Sequence, residues 1–145
     1  MATKKVLIAG ASGLVGSAAV RQFAQLPDWE VVGVSRRTPS GRDRATFVSV
    51  DLTDQRRCAE VFSRMTDVTH VVYAAVNEKP GLEEGWKDRE QMRLNLSMLE
   101  NLFGPTVPTW AGSPYLRGNA PHAISMRIST GYKKIIYGRV VYYFS

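Results

Sequence analysis

Three glycines stand three residues apart at Gly10, Gly13 and Gly16, directly after the apolar run Val6-Leu7-Ile8-Ala9. Beyond them Leu14, Val15, Ala18, Ala19, Val20 and Phe23 recur at helical spacing. A buried strand that turns tightly into a helix near Ser12–Gly13 gathers unpaired N–H groups and the positive end of a helix dipole, a combination that holds phosphate. In such a turn Gly10 permits the bend, Gly13 lets the backbone approach a pyrophosphate, and Gly16 lets the helix pack against the strand. Ser12, Leu14 and Val15 complete the segment that would face the ligand. The plainer alternative is a glycine-rich strand–helix connection that binds nothing. The position of the pattern, between a strand and a helix, favours a dinucleotide.

The second chemical signal is Ser35-Arg36-Arg37, at the end of the apolar run Val31-Val32-Gly33-Val34. An NAD site places a carboxylate there, about 20 residues past the glycines, to hold the ribose 2′-hydroxyl. Arginine offers instead a permanent charge and a planar fork of donors matched to a 2′-phosphate. NADP(H) is therefore expected ahead of NAD(H), with a solvated basic turn as the alternative. Asp51-Leu52 closes a third run, Phe47-Val48-Ser49-Val50. Asp51 would accept from the exocyclic amine of adenine and Leu52 would pack on its ring, although Asp51 or Thr53 would serve equally as a helix cap. Ala74, Ala75 and Val76 end a fourth run and are small enough for a cofactor ribose to lie against the backbone.

These groups need a scaffold, and the remaining pattern supplies one. The first helix should stop at Leu26-Pro27-Asp28, and a second strand covers Glu30–Ser35, which makes a strand–helix–strand unit with parallel strands. After the polar loop Thr38–Arg44 come the third strand and a helix over Asp54–Met65, with Cys58, Val61, Phe62 and Met65 on one face. Val68–Val76 reads as a buried strand, Asn77–Gly85 as a charged loop, and Trp86–Leu102 as a helix striped by Met92, Leu96, Leu99 and Phe103. Asn95 in that helix would reach either the site or a backbone carbonyl. The expected fold class is α/β: a Rossmann-like, doubly wound parallel sheet in a three-layer αβα sandwich, incomplete at the C-terminus.

Composition narrows the function classes. The 145 residues are 44% hydrophobic and 22% charged, ordinary for one soluble domain. No apolar run approaches the roughly 20 residues of a membrane span, so no membrane partner is expected. Cys58 is the only cysteine, which fits a reducing, cytoplasmic setting, and its helical spacing marks it as packing rather than nucleophile. His70, at the start of a strand, has no cluster of ligands beside it and no metal is expected. The net charge of +6 is uneven. Residues 1–100 hold 14 Lys/Arg against 13 Asp/Glu, whereas residues 101–145 hold five basic residues and no acidic ones. The basic tail carries no nucleic-acid motif, so no nucleic-acid partner is expected.

Several segments together resemble a known family. Gly10-Ala-Ser-Gly13-Leu-Val-Gly16, Gly33-Val-Ser-Arg36-Arg37-Thr-Pro39, Val50-Asp51-Leu52-Thr53-Asp54 and Asn95-Leu-Ser-Met98-Leu-Glu-Asn101-Leu102 occur in the order and spacing of the atypical, extended-type short-chain dehydrogenase/reductases. The likeness is to the progesterone 5β-reductase/iridoid synthase-like group, within the NAD-dependent epimerase/dehydratase type of Rossmann protein. It implies an NADPH-dependent oxidoreductase of activated carbon–carbon double bonds, with an enone or enal as the small-molecule carbonyl substrate of a full-length form. It also places Gly13 and Gly16 at the pyrophosphate, Arg36 and Arg37 at the 2′-phosphate, and Asp51 and Leu52 at adenine. Ile128-Ser129-Thr130-Gly131-Tyr132-Lys133 loosely fits the family's Thr-Gly-x-Lys setting, which makes Lys133 the counterpart of its catalytic lysine, with chance similarity as the alternative.

The resemblance covers residues 4–103. The family's catalytic tyrosine lies in an Asn-Phe-Tyr-Tyr segment that this sequence does not show, and no tyrosine stands four residues before a lysine. Residues 104–114 are dense in Gly and Pro, without helical or strand period. The expected organisation is a dinucleotide-binding domain over 1–103 and an atypical basic tail over 104–145, truncated or frameshifted, leaving a sheet edge exposed and the chemistry incomplete. The alternative function is a non-catalytic, NADP-binding or redox-sensing module.

Overall fold

The structure, a computed structural model, describes residues 4–39, 44–78, 88–106, 133–137 and 140–144, the last two segments as strand backbone. The described elements are β1 (Lys4–Ala9), α1 (Leu14–Ala24), β2 (Trp29–Ser35), β3 (Ala45–Ser49), α2 (Gln55–Phe62), β4 (His70–Tyr73), α3 (Arg89–Thr106), β5 (Lys133–Tyr137) and β6 (Val140–Phe144). They form one sheet in the order β3-β2-β1-β4-β6-β5. All pairings are parallel except that of β5 with β6. The chain winds outward from β1 to β3, then crosses back to place β4 on the other side of β1. Strand order therefore reverses between β1 and β4, the point where such sheets bind ligands.

The apolar runs are continuous because both faces of the sheet are covered. Successive side chains point to opposite faces. Leu7, Ala9, Val32, Val34, Val71 and Tyr73 join the larger core with Cys58 and Phe62 of α2 and Met98, Leu99, Leu102 and Phe103 of α3. Val6, Ile8, Val31 and Val72 join the smaller core with Ala11 of the turn after β1 and Val20 of α1. One helix lies on one face and two on the other, the three-layer αβα sandwich expected.

Local bonding sets the element ends. β4 stops at Tyr73, three residues short of Val76, once Ala74 N–H has donated to Ala9 O at 3.0 Å, the last carbonyl of β1. α2 ends at Phe62 rather than Met65, whose N–H turns back to Phe62 O. α3 runs past Leu102 through Gly104 and Pro105 because Thr106 Oγ1 donates to the carbonyls of Leu102 (3.0 Å) and Phe103 (3.1 Å), supporting the last turn. Its expected start at Trp86 lies outside the described residues, as do most of the 77–85 loop and residues 40–43 of the polar loop. The β4 edge is not exposed as expected: β6 pairs with it in parallel, Val71 opposite Val140 and Tyr73 opposite Tyr142.

Candidate dinucleotide-binding site

The Gly10–Gly16 turn leaves β1 at its carboxyl end. Gly10 has φ +76°, and a Cβ there would lie 2.5 Å from Ala74 O, so the turn presses against the end of β4. A Cβ on Gly16 would stand 1.9 Å from Gly10 O, which only glycine permits. The amides of Gly10 and Ala11 both donate to Val34 O at 3.0 Å, tying the turn to β2 as well. Gly13 is the N-cap of α1, has no capping side chain, and bears on nothing nearer than Gly10 O at 3.4 Å. The first-turn amides of Leu14, Val15 and Gly16 have no intrahelical acceptor. Ser12, Gly13 and Leu14 are exposed, Leu14 by 89%, so the turn opens to solvent where an anion would sit.

Next to it, the end of β2 is stitched to the end of β3. Val50 N–H donates to Ser35 O (3.0 Å), Ser49 Oγ to Arg36 O (2.9 Å), and Ser35 Oγ to Arg37 O (2.5 Å). The backbone of the arginine pair is thereby held while both guanidinium groups stay exposed. Asp51 Oδ1 accepts from Thr53 N–H (2.9 Å) and Thr53 Oγ1–H (2.7 Å). These two bonds, aided by the charge of Arg36, hold the Asp51 carboxyl below its ordinary range against the opposing effect of burial. The cap of α2 is neither Asp51 nor Thr53 but Asp54, whose Oδ1 accepts from Arg57 N–H at 3.0 Å. Leu52 is buried in the larger core, and Asn101 Nδ2 of α3 donates to its carbonyl at 2.8 Å.

At the end of β4, Ala74 and Ala75 are half-buried and Val76 is 50% exposed. The chain is then fixed by a knot of amides. Asn77 N–H donates to Asn95 Oδ1 (2.7 Å), and Asn95 Nδ2 returns a bond to Asn77 O (3.0 Å). Gln91 Nε2 donates to Asn77 O and to Asn77 Oδ1 (3.1 Å). Of the two roles expected for Asn95, the backbone contact is the one formed. The sequence pattern did not single out Gln91 or Asn77; the signal available was the i, i+4 spacing of Gln91 and Asn95.

The structure thus gathers Gly10, Ser12, Gly13, Leu14, Val15, Gly16, Ser35, Arg36, Arg37, Asp51, Leu52, Ala74, Ala75 and Val76 along the carboxyl edge of β1 to β4. Lys133 opens β5 opposite Phe144, so its backbone stands at that same end of the sheet but on the edge strand. Tyr73 does not face the opening: it is buried in the larger core, where desolvation, with the Cys58 thiol beside it, pushes its phenol up. His70 lies at the opposite end of β4, its Nδ1 2.9 Å from Thr69 Oγ1 and its ring 4.7 Å from that of Trp29. Among the described residues no group of three or more His, Cys, Asp or Glu is placed to hold a metal. No helix among them is long and apolar enough to cross a membrane.

A doubly wound parallel sheet, with a glycine turn into α1 at its switch point, defines a Rossmann-type nucleotide-binding protein. The chain belongs to the NAD dependent epimerase/dehydratase family, whose sequence model matches residues 6–104. It is 31% identical over 110 residues to an (S)-8-oxocitronellyl enol synthase of Nepeta racemosa, covering 70% of this chain and 26% of that protein. A second such synthase, from Nepeta cataria, is 29% identical over 134 residues, covering 88% of this chain and 30% of the relative. The 3-oxo-Delta(4,5)-steroid 5-beta-reductase of Arabidopsis thaliana is 29% identical over 109 residues, covering 70% and 26%. The chain therefore spans less than a third of the length of these curated relatives. In fold it is similar to a short chain dehydrogenase of Burkholderia cenocepacia in complex with NADP, with TM-score 0.58 and 20% identity over 74% of this chain and 47% of that one. The enzyme WbmH of Bordetella bronchiseptica, in complex with NAD+, gives TM-score 0.55 and 20% identity over 73% and 36%.

Proposed function

We propose that the chain is the cofactor-binding part of an NADP(H)-dependent oxidoreductase that reduces an activated carbon–carbon double bond of an enone or enal. The observation that carries the cofactor reading is the exposed pair Arg36 and Arg37, anchored through its backbone beside the glycine turn. The residues present fit the group. The exposed Gly13 backbone and the first-turn amides, which have no intrahelical acceptor, suit a pyrophosphate, the arginines suit a 2′-phosphate, and the second carboxylate oxygen of Asp51 is left to accept from adenine. When bound, the dinucleotide supplies a hydride. The chain's own residues bind and orient it: the turn holds its phosphates, the arginines select its phosphorylated ribose, and Ala74, Ala75 and Val76 form the floor beyond the switch point. The substrate reading is supported by the sequence likeness to the enol synthases and the steroid reductase. A reducing, cytoplasmic setting belongs to the same reading.

Lys133 is the residue proposed to act on the substrate oxygen, supported by its place at the cofactor end of the sheet. A second reading is NADP binding without turnover. The purified chain mixed with NADPH and a small enone separates the two. Consumption of NADPH that stops in Lys133→Ala supports the reductase; saturable NADPH binding without consumption supports the second reading.

A further inference from the structure

The segment 74–77 is pinned at both ends. At its start, Ala74 N–H donates to Ala9 O, and the Gly10 backbone lies so close to Ala74 that no side chain fits between. At its end, the carbonyl of Asn77 accepts from both Gln91 and Asn95, its N–H donates to Asn95, and its side-chain oxygen accepts from Gln91. Gln91 is only 5% exposed, and its Oε1 is buried without a partner among the described residues. A buried amide with an unused oxygen costs stability, and a leucine or methionine would fill the position without that cost. Its presence is explained by what its nitrogen holds.

The proposed cofactor orientation, on which this inference rests, says what that hold is for. The adenosine 2′-phosphate lies toward β2 and β3, at Arg36, Arg37 and Asp51, and the pyrophosphate lies at the turn after β1. The rest of a dinucleotide must cross the switch point and lie over the end of β4, because such ligands bridge that crevice. Residues 74–77 are the backbone it meets there.

We propose that Gln91 is a positioning residue for the nicotinamide half of the cofactor: with Asn95 it locks Asn77, and so sets the Ala74–Val76 backbone before the ligand arrives. A preset surface removes an ordering cost from binding, which appears as affinity. The effect is confined to ligands that reach past the pyrophosphate.

Gln91→Met keeps the length of the side chain and removes its donor. Binding of NADP+ and of adenosine 2′,5′-bisphosphate, which lacks the nicotinamide half, is measured for the 145-residue chain and for Gln91→Met and Asn95→Asp. The expected result is a loss of about tenfold in NADP+ affinity, with affinity for the bisphosphate unchanged within about twofold, a scale set by one lost hydrogen bond. Equal affinities of variants and parent for NADP+ would overturn the inference and leave the cofactor reading standing. Parallel loss of both ligands would also overturn it, since the amides would then only hold the fold together. Failure of the unaltered chain to bind the bisphosphate would overturn the cofactor reading and the inference together.

Discussion

Cys58 shows how much of a residue's chemistry is set by what surrounds it. It faces the larger core from α2, wholly buried, and its Sγ lies 3.5 Å from Asp51 O. Desolvation first, then the charges of Asp54 and Asp51, push its thiol up from 9.0 to about 11. The folded-state value is raised, so the stabilisation from keeping the thiol neutral is complete below pH 9.0 and is lost as the pH rises toward about 11. Folded chain at pH 8 should therefore resist a thiol reagent, and labelling should rise only with denaturant or alkali; prompt labelling at pH 8 would contradict the burial. The packing role was legible in the sequence because Cys58, Val61, Phe62 and Met65 repeat with helical spacing. The cap of α2 was less legible: three side chains able to cap stand within four residues, and only the backbone path shows that Asp54 reaches an amide while Asp51 serves Thr53.

The β1–turn–α1 element carries the most specific demand on sequence. Positive φ at a residue with a side chain costs about 1–3 kcal/mol before any overlap is counted. Gly10→Ala adds a clash with the Ala74 backbone, and Gly16→Ala one with Gly10 O, both against main chain that has no rotamer to move to. Either substitution should lower the thermal midpoint and abolish dinucleotide binding. Gly13→Ala, with 3.4 Å to its nearest neighbour, should fold normally and lose affinity alone. Thermal unfolding beside a binding titration checks all three, and a normal midpoint for Gly16→Ala would contradict the packing described. The strands of this element and its neighbours were legible because both sheet faces are covered, which makes Val6–Ala9 and Val31–Val34 apolar without a break. Their ends were not, since β4 stops where β1 runs out of carbonyls and α3 continues through Pro105 on the hydroxyl of Thr106.

At the scale of the molecule, the sheet brings four loops to one edge, and nearly every candidate site residue read from the sequence lies along it. Those residues were legible because a glycine turn from a parallel strand into a helix, and a basic pair at a strand end, leave a signature in composition and spacing. The amide knot of Asn77, Gln91 and Asn95 left only the i, i+4 spacing of its two helical members, because its bonds join a loop to a helix across 14 and 18 residues and nothing local marks Asn77 as their partner. The pairing of β6 with β4 was illegible for the same reason: a parallel partner from the far end of the chain is chosen by the sheet, not by local pattern. The central claim is that this edge binds NADP(H) through Arg36 and Arg37. Its most direct test is the affinity of the purified chain for NADPH and for NADH, measured by cofactor fluorescence for the parent and for the Arg36→Ala/Arg37→Ala double variant. The parent should prefer NADPH, and the NADPH affinity of the double variant should fall about ten- to a hundredfold to the NADH level, as loss of charge-assisted contacts to one phosphate requires. Equal affinity of the parent for the two cofactors, or a preference that survives in the double variant, would contradict it.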